Sequence, residues 1–406
     1  MSHSALLVGL GLLSALITYG ATFVVRRVAL AKGAVVVPDA RKVHDRPTPT
    51  LGGAAMLLAF LISMTLAWRI PQLHGIFANS SGPLGVMLAA VLIFAVGMVD
   101  DLREVSPPAK VAGQVLAATV LYYAGDTMYS VKIPLVNQIF VLSPSVTPLL
   151  TALWVVGIAN AINLIDGLDG LAAGIVAIAA GSFALYSVML QHLGLLSADS
   201  MGPLVAAITA GACIGFLPHN FHPAKIFMGD AGALTLGLLM AASTSVVGGR
   251  TPDVSGHTYF FFVPLVIPLF ILGVPMTDTF LAVVRRTARR SGVATADKAH
   301  LHHRLMQMGH GHRRSVLILW AWTAILSGFV LYPLVFSHGN GLVPALVMAA
   351  GISLYTAFWP RRHHGRHGRG LHSRKSVAHP GSGGASEARD RLASARSQAD
   401  ATPAKR

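Results

Sequence analysis

Charge is scarce in this sequence. Asp, Glu, Lys and Arg make up 12% of its 406 residues, about half the ~25% usual in soluble domains. Hydrophobic residues account for 53% and the mean hydropathy is +0.62. Repeated long apolar runs then argue against a soluble fold and for an all-α polytopic integral membrane protein. Cysteine is nearly absent: the single Cys213 can form no intrachain disulfide, excludes a cysteine-based zinc site and gives no guide to compartment. The first apolar run, about residues 4–25, lacks a basic n-region and a small-residue cleavage site. It reads as a retained span rather than a signal peptide. No internal repeat is visible.

What the chain does have is positive charge, +15 net, but its distribution argues against nucleic acid. Eleven of the 31 Lys and Arg lie in the tail from Arg361 onward, and most others sit in short loops. That pattern suits membrane topology and contact with anionic headgroups or phosphates. Hydropathy predicts eleven transmembrane helices, at about 4–25, 51–68, 83–99, 110–124, 148–162, 170–190, 202–218, 232–248, 260–284, 316–336 and 342–360, with 110–124 and 148–162 the shortest. Placing the N-terminus outside puts Arg26, Arg27, Lys32, Arg41, Lys42, Arg46, Arg103, Lys110, Lys225, the 285–314 loop and the tail on the inner face. The outer face then keeps Arg69, Lys132 and Arg250. The positive-inside rule thus predicts the N-terminus outside and the C-terminus in the cytoplasm. Residues 125–147 read as a short hairpin on the outer face. Span 260–284 carries Pro264, Pro268, Pro275 and Gly273 and should kink. Two regions result: a transmembrane domain over 1–360, and a basic, disordered cytoplasmic tail over 361–406.

Five of the sixteen acidic residues fall in three clusters beside apolar runs: Asp100-Asp101, Asp166 and Asp169, and Asp230. Carboxylates there are expensive and point to a functional site. On the predicted topology all three clusters, and a histidine cluster His300-Leu-His-His303, share the cytoplasmic face. Asp100 and Asp101 end a helix whose C-terminus is already partly negative, so a nearby cation is the natural remedy. Their bland reading is a solvated pair balanced by Arg103. Asn163, Asp166 and Asp169 recur every three residues, and Gly167 and Gly170 let backbone approach a ligand closely. The bland reading here is capping, with Asp169 as N-cap of the next helix. Asp230 has the same bland reading, but Phe227 and Lys225 beside it suit a nucleobase and a phosphate. His300, His302 and His303, with Arg304 adjacent, favour phosphate binding over a metal. A basic loop touching lipid headgroups is the plainer alternative.

The order Asp-Asp, Asn-x-x-Asn-x-x-Asp-Gly-x-Asp-Gly, Phe-Met-Gly-Asp, His-x-His-His resembles the polyprenyl-phosphate N-acetylhexosamine-1-phosphate transferases over about residues 1–360. His300-Leu-His-His303 and the Arg41 to Gly53 stretch resemble the WecA and TagO branch. The muramoyl-pentapeptide branch differs in its histidine motif. The resemblance implies transfer of a sugar 1-phosphate, with UDP-N-acetylglucosamine the expected donor, to an undecaprenyl or decaprenyl phosphate. UMP would be released and cell-envelope polysaccharide assembly begun, at the bacterial plasma membrane. It implies Mg²⁺, with Mn²⁺ as a substitute, held by Asp230 and Asn163. Asp166, Gly167, Leu168, Asp169 and Phe227 would form the nucleotide pocket, and Lys225 and Arg304 would assist substrate binding. Asp100, Asp101, Lys110, His300, His302 and His303 would carry the phosphate chemistry. Expected partners are the UDP-sugar, the polyprenyl phosphate, the bilayer and, as an open arrangement, a second copy of the chain. A different class, an anionic-lipid transporter, would place its charges near the bilayer midplane instead.

Overall fold

A computed structural model of the chain describes residues 2–36, 47–103, 105–127, 130–133, 138–248, 272–273, 305–306, 308–335 and 342–358. Helix α1 (His3–Ala31) starts where the Ser2 hydroxyl accepts the Ala5 N–H at 3.2 Å. Helices α2 (Gly53–Trp68), α4 (Gly82–Leu102), α5 (Pro107–Tyr123), α6 (Thr147–Ile165), α7 (Leu171–His192), α8 (Gly202–Asn220), α9 (Gly229–Gly248), α10 (Gly311–Val335) and α11 (Leu342–Phe358) follow. Proline opens α4, α5, α6 and α8, where its missing N–H costs no intrahelical bond.

Seven described helices are long and apolar enough to cross a membrane: α1, α4, α6, α7, α8, α9 and α10. An eighth arises if α2 and the short helix after it, α3 (His74–Ala78), are one broken span bent by 96°. The break has a local cause. Pro71 opens a single 3-10 turn, Pro71–Leu73, after α2 has closed at Trp68. Ten of the eleven predicted spans thus coincide with helices, although α2 has only 16 residues and α5 and α11 only 17 each. The predicted kinked span, apart from residues 272–273, and the whole tail fall outside the described residues.

Two hairpins connect the helices. β1 (Val35–Val36) pairs antiparallel with β2 (Thr48–Pro49), and β3 (Ser130–Ile133) with β4 (Gln138–Val141), the latter inside the segment predicted to form one.

Helix α9 is the post of the bundle. It packs against α2, α4, α6 and α8, and small residues let the backbones close in. Gly97 of α4 meets Ala231 so tightly that a Cβ there would lie 2.5 Å from the Ala231 Cα. Gly53 of α2 similarly leaves no room for a side chain against Gly232. Van der Waals packing of small residues is what drives association where lipid removes the hydrophobic incentive. The outcome is functional geometry: the C-terminal turn of α4, with Asp100 and Asp101, is pressed onto the N-terminal turn of α9, with Asp230.

Candidate active site

Lys110, one turn into α5, is the centre of the acidic cluster. Its ammonium donates to Asp100 Oδ2 at 2.7 Å and forms a shorter contact with Asp230 Oδ2. Asn163, near the end of α6, bridges the same pair: its amide nitrogen faces Asp230 Oδ1 at 3.2 Å and its oxygen faces Lys110 Nζ at 3.1 Å. Asp100 also accepts the Val105 N–H at 2.9 Å, which folds the α4–α5 connection back onto the cluster. Four residues from three helices and the head of a fourth therefore converge on one point.

Asp101 is used differently from Asp100. Its two oxygens accept the N–H groups of Asp230 (2.8 Å) and Ala231 (3.1 Å), so it caps α9 from a neighbouring helix. Gly229 makes room for this. Its φ of +72° is in the left-handed region, and a Cβ there would collide with Asp101 and Thr50. Asp230 is consequently not the N-cap. It sits inside the first turn with its carboxylate free to face Lys110.

Asp166 is the C-cap of α6 and half-buried. Burial, with the Asp230, Asp101 and Asp169 carboxylates adding to it, pushes its pKa up to about 8. The turn after it differs from the capping expectation. Gly170, at φ +78°, is the N-cap of α7 and no side chain caps that end; Asn220 instead accepts the Gly170 N–H at 3.0 Å. Asp169 points elsewhere, to His222 Nδ1 at 2.7 Å and the Ala224 N–H at 3.0 Å. Three-residue spacing thus does not gather all three: α6 ends at Ile165 before the pattern is complete, so Asp169 turns away to His222 while Asp166 stays close enough to feel the Asp230 and Asp101 charges.

The remaining predicted positions divide as follows. Gly167 is exposed and its N–H donates to the Ile165 carbonyl at 2.8 Å. The Leu168 side chain is buried in the apolar core. Phe227 is half-buried and held by backbone bonds: its N–H donates to Pro49 (2.9 Å) and its carbonyl accepts from Gly52 (2.9 Å). Lys225 is exposed, with its carbonyl accepting Arg26 Nε at 3.1 Å. His300, His302, His303 and Arg304 lie outside the described residues.

Residues 83–248, which contain the whole acidic cluster, match the model of glycosyl transferase family 4. A decaprenyl-phosphate N-acetylglucosaminephosphotransferase of Mycolicibacterium smegmatis is 41% identical over 348 residues, 84% of this chain and 85% of the relative. The protein of that name from Mycobacterium leprae is 42% identical over 329 residues, covering 78% and 81%. The chain belongs to glycosyl transferase family 4. A phospho-N-acetylmuramoyl-pentapeptide-transferase of Mycobacterium marinum is more distant, at 32% over 316 residues, covering 70% and 83%.

Within this family 4 chain, sequence reasoning missed Gln114, His222 and His312, and gave Asn160, the first residue of the Asn-x-x-Asn motif, no role of its own. Gln114 and Asn160 form a reciprocal amide pair between α5 and α6, with Asn160 Nδ2 donating to Gln114 Oε1 at 2.6 Å. Gln114 lies four residues after Lys110, and Asn160 three before Asn163, so each shares a helix face with a cluster member. That periodicity was the available signal. His222 and His312, both beside Asp169, come from distant segments and left no local trace.

Proposed function

We propose that the protein transfers N-acetylglucosamine 1-phosphate from UDP-N-acetylglucosamine to a membrane polyprenyl phosphate, releasing UMP. The observation that carries this reading is the convergence of Asp100, Asp230 and Asn163 on Lys110, in a chain 41–42% identical to decaprenyl-phosphate N-acetylglucosaminephosphotransferases. Both reactants carry phosphate, so their approach concentrates negative charge that the site must offset.

The lipid monophosphate is largely dianionic at neutral pH, since its second pKa is near 6. Its oxygen attacks the sugar-bearing β-phosphorus directly. The bond from that phosphorus to the bridging oxygen breaks, and UMP departs with the oxygen and its electron pair. No strong general base is required. Lys110 neutralises the incoming phosphate charge, while Asp100 holds the ammonium and the α4–α5 connection in place. Asn163 orients the Asp230 carboxylate. Phe227 offers an aromatic face to uracil, with Gly167 and Asp169 at the nucleotide and Lys225 and Arg304 at its phosphates. His300, His302 and His303 bind the diphosphate.

The donor set fits Mg²⁺. Asp230, Asn163, Asp100 and Asp166 supply hard oxygen ligands, and among the described residues their carboxylates outnumber the single ammonium of Lys110. When bound, the cation attenuates charge on the diphosphate. Mn²⁺ would substitute. The same oxygens leave little for imidazole or thiolate chemistry.

The site lies at the end of the bundle that carries Arg26, Lys225, Lys110 and Arg313. Basic enrichment at that end supports a cytoplasmic active site, with the N-terminus outside, in a bacterial plasma membrane. The test incubates purified protein with Mg²⁺, polyprenyl phosphate and radiolabelled UDP-N-acetylglucosamine, with UDP-N-acetylmuramoyl-pentapeptide in a parallel reaction. Labelled lipid plus one UMP per transfer is expected from the first donor alone. Transfer only from the second would replace this reading with the muramoyl-pentapeptide activity.

A further inference from the structure

Away from Lys110, three side chains from remote parts of the chain meet at a second point. Asp169 comes from the α6–α7 turn, His222 from the α8–α9 connection and His312 from the first turn of α10. Each offers one ligand atom, and the three atoms lie within 4.8 Å of one another. Among the described residues this is the one group of three or more His, Cys, Asp or Glu side chains arranged so.

We propose that Asp169, His222 and His312 form a binding site for a zinc-class divalent cation, separate from the oxygen-rich cluster around Lys110. The distances straddle what such an ion needs. Tetrahedral zinc, with bonds of about 2.0–2.2 Å, sets its ligand atoms about 3.4 Å apart. Asp169 Oδ2 lies 2.7 Å from His222 Nδ1 and 3.9 Å from His312 Nε2, so shifts of well under 1 Å bring both to that value. In the metal-free arrangement a proton bridges Asp169 and His222; the cation takes its place.

The His312 nitrogen is the second observation. Nε2 is buried with no hydrogen-bond partner, a state that is unfavourable unless something occupies it. Its ring stacks on His222 with centroids 4.1 Å apart, which holds it aimed at Asp169. The ligand environment is also braced from outside. The Ala224 N–H donates to Asp169 Oδ2 at 3.0 Å and Arg313 Nε donates to the His222 carbonyl at 3.2 Å. Such outer contacts fix ligand orientation before the metal arrives.

Ligand chemistry selects the ion. Two imidazoles and one carboxylate suit Zn²⁺ and its neighbours in the transition series, whereas Mg²⁺ prefers oxygen alone. The His222 side chain is 38% exposed while Asp169 and His312 are 11% and 12% exposed. The site therefore opens to solvent on the His222 side, where the ion enters and a water completes the fourth position.

The test uses the full chain, stripped of metal with a chelator. Crystals of the wild-type protein soaked in Zn²⁺ are measured at the zinc absorption edge, which locates bound metal regardless of the other histidines in the chain. Anomalous density between Asp169, His222 and His312 is expected. In parallel, equilibrium dialysis counts bound Zn²⁺ in the wild type and in His222→Asn and His312→Gln. Each variant should lose one equivalent while keeping any zinc held by the histidine-rich loop and tail. Absence of density at this position, or an unchanged zinc count in a folded variant, would overturn the proposal. The anomalous measurement decides even if both variants misfold. Neither readout depends on transferase activity.

Discussion

Asp101 accepts the backbone N–H of Asp230 at 2.8 Å, so one acid of the site builds the helix end on which the other stands. The adjacent Asp100 instead grips Lys110. Replacing these neighbours should give two different phenotypes. Asp101→Ala removes the cap of α9 and should lower stability by about 1–2 kcal/mol, visible as a reduced Tm. Asp100→Ala should leave Tm closer to wild type and act mainly on turnover. Equal loss of Tm in the two variants would contradict the division of roles.

Asp230→Asn and Lys110→Met should each reduce transfer about 100-fold or more, with the protein still folded. The lysine variant carries an added signature. Deleting the ammonium leaves Asp100 and Asp230 facing each other unpaired, an arrangement that costs about 3–5 kcal/mol. Added Mg²⁺ should therefore raise its Tm by more than it raises that of the wild type. Thermal unfolding with and without Mg²⁺ measures the difference.

Asp166 should make cation affinity depend on pH. Its folded pKa of about 8 means that the metal-free protein holds this carboxyl protonated at pH 7, and a cation must displace the proton. Apparent Mg²⁺ affinity should rise with pH by up to about tenfold per unit and level off above pH 8. The stability effect has the opposite sign. An unfolded Asp releases its proton near 3.9, so between about pH 4 and 8 the folded state binds more protons, and metal-free stability falls as pH rises through that window. Asp166→Asn should flatten both profiles, read by calorimetric titration and by thermal unfolding in chelator.

Gly97→Ala tests the close approach of α4 and α9. The new methyl group would lie 2.5 Å from the Ala231 Cα, and overpacking of this kind costs about 1–3 kcal/mol. Because Ala231 follows Asp230, turnover should fall along with Tm. Gly9→Ala, where a Cβ meets nothing within 4 Å, is the matched control and should change neither.

The helical layout was readable because membrane spans announce themselves by length and apolarity: the runs predicted at 83–99 and 202–218 became α4 and α8 with ends shifted by a few residues. The 96° break after α2 was not, since Pro71 falls between a long apolar run and a short one too brief to register. For the site, residue types and their clustering singled out Asp100, Asn163 and Asp230 as sharing one face, and the family resemblance added Lys110. Which neighbour each would choose was hidden. Successive helical residues point about 100° apart, so Asp100 and Asp101 were bound to face different partners, yet only the packing of α4 on α9 says which. The Asp169 to His222 pairing joins residues 53 positions apart and depends on the α8–α9 connection folding back, for which no local pattern exists.

Helix α9 stands inside a sleeve of other helices, with 94% of its span enclosed by protein. Acyl chains therefore touch α1, α4 and their outward neighbours but not the helix that carries Asp230. Changes in bilayer thickness or fluidity, as with growth temperature, meet the outer helices first, and Asp230 is reached only through them. An enzyme that must draw one substrate from the membrane thus keeps one carboxylate of its site on a helix screened from the solvent that surrounds it.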